Sequence, residues 1–314
     1  MITLSEAVTT TSRLVLDLHQ SSSTFGEFVS KSLTDSNPVI HTLSVTILVI
    51  IVVYILGLAT GKHSFVDKAW SIVPVYYAWQ FGLAELSSSV VGVYPRAAVA
   101  ASIITVWGTR LTYNFWRKGG YAWDGEDYRW EVLRERMNRT VYEVFHIVFI
   151  AIIQNILLTS LVVPLYVCWY TSTVEKKPEG FNGFDVAGIV VSVLCLIVES
   201  VADQEQWDFH QRKARKRLHA SSKKLGFLTE GLWAHSRHPN FFAEQSFWCA
   251  NCLFASAATG RLLGWWVIGP LCLILLFHES TNFTENITAS KYPEYRTYQS
   301  RVSRLVPQLR GGTL

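Results

Sequence analysis

VIHTLSVTILVIIVVYILGLAT, residues 39–60, runs for 22 positions with one histidine and no Lys, Arg, Asp or Glu. A helix crosses the ~30 Å hydrocarbon layer of a bilayer with about 20 apolar residues, so this stretch reads as a membrane span. Six more stretches come close to that length: 69–86, 96–113, 141–170, 184–202, 241–259 and 262–278. Half of the 314 residues are hydrophobic, only 17% are charged, and mean hydropathy is +0.22, which is more apolar surface than one soluble core uses. The expectation is an all-α, polytopic transmembrane bundle of about seven spans. Stretch 69–86 is the least regular, because Trp70, Tyr76, Tyr77 and Trp79 form an interfacial belt and Pro74 interrupts it. A buried, non-spanning helix is the other reading of that segment.

Orientation follows from Lys and Arg. One set of connections holds Lys62 and Lys68, then Arg117 to Arg139, Arg212 to Arg237 with Lys216, Arg217, Lys223 and Lys224, and Lys291 to Arg310; the opposite set holds only Arg13, Lys31, Arg96, Lys176, Lys177 and Arg261. This bias places the N-terminus in a lumen and the C-terminus, to Leu314, in the cytosol, with the endoplasmic reticulum as the expected membrane. The net charge of +4 is spread over separate loops and no nucleic-acid motif accompanies it, so nucleic acid is not expected as a partner. Residues 1–37, rich in Ser and Thr, read as a mobile N-terminal tail, and 38–314 as one transmembrane domain with its cofactor-binding half near 184–310. The five cysteines fall inside expected spans; Cys249 and Cys252 lack a second ligand pair, so neither a disulfide framework nor a metal site is expected. The sequons at Asn138, Asn282 and Asn286 fall on the side assigned to the cytosol, where no glycan is added.

No Walker loop or Gly-rich strand-to-helix turn is present, so a nucleotide would be held by other means. The polar residues able to do so gather around the last spans. Glu199, Asp203, Gln206, Trp207 and His210 are spaced by three or four, along one helical face, which either lines a cleft or is the polar side of a helix leaving the membrane. Next comes GLWAHSRHPNFFAE, residues 231–244. Its Arg237 and His238 are donors suited to phosphate or ribose, and Pro239 suits the start of a helix. Asn240 and Glu244 are four apart on one face. A carboxylate in the first turns of an apolar span is a functional-site hypothesis; a structural pairing of Glu244 with Arg237 or Arg110 is the alternative. Gln154, Asn155 and His146 read as interhelical hydrogen-bonding groups.

The core HSRHPNFFAE, residues 235–244, resembles the signature of membrane reductases related to steroid 5-alpha-reductase. More closely, the chain resembles an uncharacterised branch catalogued as domain of unknown function 1295. Further matches are VDKAWS at 66–71, WGTR at 107–110, Glu199 with Asp203, and KYPEYRTY at 291–298 running to Val306 and Pro307.

The resemblance implies a cytosolic cofactor cleft. Reductases of this architecture use NADPH, whereas isoprenylcysteine and phospholipid methyltransferases bind S-adenosylmethionine with a similar Arg-His-Pro motif. An Asn followed four residues later by Glu, matched by Asn240 and Glu244, is implied to grip the nicotinamide. Glu199 and Asp203 would face the cofactor, Arg237 and His238 its ribose and phosphates, and Tyr295 and Tyr298 the adenine. Glu285 lies where the methyltransferases carry an acidic pair. For proton delivery the resemblance implies Asp67, with Trp107 at the position of a family tyrosine and Arg110 beside it. The function implied is NADPH-dependent reduction of a carbon-carbon double bond in a lipid such as a sterol, enone or fatty-acyl compound. The alternatives are an S-adenosylmethionine-dependent methyltransferase and a non-catalytic lipid-binding membrane protein.

Overall fold

In the computed structural model, the described residues are 2–88, 90, 94–177, 180–215 and 225–311. Lys216, Arg217, Lys223, Lys224 and Leu314, used above for orientation, lie outside them. Among the described residues every regular element is helical. Four helices are long and apolar enough to cross a bilayer: Pro38–Thr60, Arg139–Val174, Gly183–Ala214 and Trp265–Lys291. Only 22–50% of their most apolar stretches is buried, so most of that apolar surface faces outward, as in a membrane protein.

Local chemistry sets the boundaries. Pro38 occupies the first turn, the Asn37 side chain accepts from the Val39 N–H, and Gly61 ends the helix at φ 67°. The other three expected spans are helical but shorter or more polar: Val73–Leu86, Arg96–Arg117 and Pro239–Thr259. Stretch 69–86 is divided, with a short helix Phe65–Ala69 preceding Val73–Leu86, because Pro74 lacks an N–H to continue the ladder inward. The stretch read as a tail carries two capped helices, Leu4–Gln20 and Phe25–Thr34; Thr3 and Glu6 form a reciprocal capping box on the first.

The chain divides into two compact units. The first comprises Met1–Ile189 and Asn251–Pro270. Its helices Val73–Leu86 and Arg96–Arg117 approach closely through buried Ala97, Ala98, Ala100 and Ala101; a Cβ on Gly108 would stand 2.6 Å from the Ser71 carbonyl oxygen. Glu85 accepts from the Ala97 and Ala98 N–H groups at 2.7 and 3.3 Å, which satisfies the start of the second helix. Beside it, buried Arg96 donates bidentately to buried Asp185 at 2.9 and 3.0 Å.

The segment Arg139–Val174 is helical apart from a turn at residues 161–162, just before Pro164, and winds wider over His146–Ile153 and Tyr170–Val174. Trp70 bonds Gln154 at 2.8 Å between helices, whereas Asn155 donates to the Ala151 carbonyl of its own helix. His146 is fully buried, not in an interhelical hydrogen bond but packed edge-on against His63 with ring centres 4.1 Å apart. Gly57 makes the room: a Cβ there would stand 2.5 Å from His146 Nε2.

The second unit comprises Val190–Ala250 and Leu271–Leu314. A turn at Gly231–Ala234 leads into Pro239–Thr259, and the chain after Lys291 forms the short helix Tyr295–Arg301. Phe227, Tyr295, Tyr298 and Val302 pack together, and Phe209, Leu228 and Trp233 form a second small cluster. Gly231 adopts φ 62°, and the Glu205 carboxylate occupies the space a side chain would take, so both the backbone and the packing call for glycine there.

Candidate functional site

The second unit gathers the residues singled out for cofactor binding. Asp203 sits one turn after buried Glu199 on Gly183–Ala214, and the Asn240 amide donates to Asp203 Oδ1 at 3.4 Å. Buried Glu244, one turn along Pro239–Thr259, accepts from Trp248 Nε1 at 3.0 Å. Asn240 and Asp203 thus meet across two helices. The amide and three carboxylates make a largely buried, acceptor-rich patch suited to amide, hydroxyl or cationic partners.

Arg237 and His238 are held by one acid. Arg237 donates from Nε and Nη2 to the Glu285 carboxylate at 2.7 and 3.1 Å, and from Nη1 to the Gln299 and Val302 carbonyls at 3.0 and 2.6 Å. His238 Nε2 lies 2.9 Å from Glu285, and Gln299 and Tyr295 donate to the same carboxylate at 2.8 and 3.4 Å. The buried carboxylate is fully solvated by protein donors, and its guanidinium partner fastens the tail. Tyr295 and Tyr298 are buried; burial pushes both phenols above their ordinary range, and Tyr298 donates to the Trp233 carbonyl.

In the first unit, Asp67 Oδ2 accepts from Trp130 Nε1 at 2.7 Å. Burial raises its carboxyl above the usual range, while Arg129 and the indole N–H oppose the shift. Lys68 turns away and donates to the Ala122 carbonyl at 2.8 Å. Trp107 is fully buried, with Arg110 three residues on in the same helix. Trp130, Gln299 and the His63 cluster escaped the sequence reading. Their contacts join positions tens of residues apart, and only the aromatic and charged run 127–130 hinted at one of them.

His63 forms a separate cluster: its Nδ1 lies 2.9 Å from Arg134 Nη2 and 3.1 Å from the Tyr142 hydroxyl, and Arg134 also donates to Glu126 at 2.8 Å. Burial, then His146 and Arg134, lower its pKa to about 4.

A family model described as a protein of unknown function (DUF1295) matches residues 53–302. The chain is 33% identical over 287 residues to the uncharacterized protein C594.04c of Schizosaccharomyces pombe, covering 88% of this chain and 82% of that one. No solved structure matches significantly.

Proposed function

Because the chain belongs to the DUF1295 family, whose function is unknown, we propose from the site itself that it is an NADPH-dependent membrane reductase of a lipid carbon-carbon double bond. The observation that carries the reading is the Asn240 amide on Asp203, with Glu244 one turn further along the same helix. Acceptors and an amide at this spacing fit the carboxamide and hydroxyls of a nicotinamide nucleoside. When bound, the cofactor supplies a hydride. This chain's part is to orient the ring through Asn240, Asp203, Glu199 and Glu244; the proton carrier of the proposal is the first unit's Asp67 carboxyl, which Trp130 holds, with Trp107 and Arg110 on a helix of the same unit.

Arg237 and His238 are committed to Glu285, so their contribution is to fix the tail with Tyr295 and Tyr298 as one wall. Phosphate contacts then fall to exposed cations such as Arg215 and Arg296. Three carboxylates equally favour a cationic ligand, which makes S-adenosylmethionine, with its sulfonium, the second reading. A cytosolic cleft in a seven-span bundle of the endoplasmic reticulum, N-terminus lumenal, completes the proposal; an unglycosylated Asn138 in the native protein supports that orientation and a glycan there overturns it.

Thermal stabilisation of the purified protein by NADPH or by S-adenosylmethionine tests the reading. A ligand at 100 times its Kd adds ~2.7 kcal/mol. NADPH should stabilise the wild type, and Asn240→Ala and Glu244→Ala should lose that response while keeping the helical signal. A response to S-adenosylmethionine alone decides for the methyltransferase, and a response to neither leaves a lipid-binding protein.

A further inference from the structure

Ahead of the first spanning helix lie Leu4–Gln20 and Phe25–Thr34, and their side chains fall into three sectors. On the first helix Ala7, Leu14 and Leu18, spaced seven and four apart, are buried or half-buried. Glu6, Arg13 and Asp17 keep the same spacing on a polar, exposed side. Leu4, Val8 and Val15, spaced four and seven, form a third stripe that is apolar yet exposed, Val8 to 57%. Leu16 is exposed outside the stripe. The second helix divides in the same way. Ser32 is buried, Phe28 packs edge-on against His19 of the first helix, Glu27 and Lys31 pair on the polar side, and Phe25 and Val29 are apolar and exposed, Phe25 to 82%. A helix with one packed, one polar and one bare apolar side belongs at a boundary between protein, water and an apolar medium.

The ends of the hairpin identify that medium. Asp35, Ser36 and Asn37, which span at most ~11 Å, join it to Pro38, the first residue of a helix long and apolar enough to cross a bilayer. The Asn37 N–H donates to Asp35 Oδ1 at 2.7 Å and tightens this link. At the other end the Ile2 carbonyl accepts from Trp265 Nε1 at 3.3 Å, and Trp265 opens the spanning segment Trp265–Lys291. Lys31 donates to the Ser21 carbonyl and closes the turn between the two helices. The hairpin is therefore tied at both ends to the starts of spanning helices, one of them a tryptophan of the kind that marks the membrane surface. Its bare stripe continues the outward apolar surface of Pro38–Thr60, where Ile47, Leu48, Ile51 and Ile55 are exposed. Residues 1–37 carry four acidic side chains, Glu6, Asp17, Glu27 and Asp35, against Arg13 and Lys31, so apolar burial and not a polybasic patch drives the contact.

We propose that Leu4–Gln20 and Phe25–Thr34 form an interfacial hairpin lying along the bilayer surface, with Leu4, Val8, Val15, Phe25 and Val29 seated among the lipid acyl chains. The inference concerns the first unit alone and does not depend on the reductase reading.

Single p-benzoylphenylalanine residues in the full chain, held in phosphatidylcholine nanodiscs large enough for two copies, test it. Irradiation should attach phospholipid to probes at Val8, Val15 and Phe25, read as the mass of one lipid added to the protein, and not to probes at Glu6 or Arg13. All five positions lie on the hairpin's surface, and an unchanged melting temperature verifies the fold of each variant. The double variant Val8→Asp with Phe25→Asp should lift the hairpin, so that trypsin cuts after Arg13 several-fold faster while the melting temperature stays. Equal lipid adducts on the polar side, no adduct on the apolar side of folded protein, or unchanged cleavage in the double variant overturns the proposal. A covalent dimer through Val8 or Phe25 in place of the lipid adduct also overturns it and assigns the stripe to a second copy of the chain.

Discussion

Arg237 and Glu285, 48 positions apart, close a buried bidentate pair on which His238, Gln299 and Tyr295 also converge. Removing one member of a buried pair leaves the other charge uncompensated, at a cost of about 3–5 kcal/mol. Three other donors remain on Glu285, so Arg237→Met should fall near the lower end. Lys cannot reproduce the fork, so Arg237→Lys should recover little. The tail loses its carbonyl clamp in both, and limited proteolysis should cut near residue 302 much faster than in the wild type. Unchanged cleavage would show that the aromatic cluster alone holds the tail.

Gly57 and His146 make a sharper steric test. Gly57→Ala places a methyl group within 2.5 Å of a fully buried imidazole, and such overpacking typically costs ~1–3 kcal/mol. His146→Ala clears that space at the price of a cavity. Combined, the two changes should cost clearly less than the sum of the single effects, measured by thermal unfolding as a double-mutant cycle.

The lowered pKa of His63 gives a signed pH dependence. Its value falls from 6.5 when unfolded to about 4 when folded, so the unfolded chain binds more protons in between. Stability is therefore whole above about 6.5 and declines as pH falls toward about 4. His63→Gln should flatten that decline, by up to about one proton's worth of slope, in melting curves taken across the window.

Asp67 has the opposite sign. Its folded carboxyl is raised above 3.8, so stability declines as pH rises from there toward the folded value. Asp67→Asn removes the cost of a desolvated carboxylate and keeps an acceptor for Trp130. It should melt no lower than the wild type at pH 7 and still respond to NADPH, yet lose substrate-dependent NADPH oxidation. Full turnover in that variant would leave Asp67 a structural residue.

Much of the helix pattern was legible because burial in a bilayer is written locally. The expected span 39–60 differs from Pro38–Thr60 by the proline that starts it, and 184–202 begins one residue inside Gly183–Ala214. Where reading failed, polarity misled it. The last helix long enough to span continues to Lys291, 13 residues past the expected 278, because polar residues, exposed like Glu279 or paired and buried like Glu285, do not by themselves end a helix. Ser and Thr in residues 1–37 looked like a tail, yet Thr3 and Thr24 serve as caps. In the site, helical spacing revealed Asn240 with Glu244 and Glu199 with Asp203. Nothing local could reveal that Trp130 meets Asp67 across 63 positions, since such pairing is decided by packing alone.

The Arg96–Asp185 pair also sets an order of events during synthesis. Ribosomes add roughly 5–20 residues per second. Asp185 follows Arg96 by 89 positions, so on that basis the guanidinium waits about 4–18 s for its partner. Until then the nascent helix carries a cation that the finished protein keeps fully buried. It must wait near headgroups or within the insertion machinery, so the first unit closes late, after most of its helices have been made.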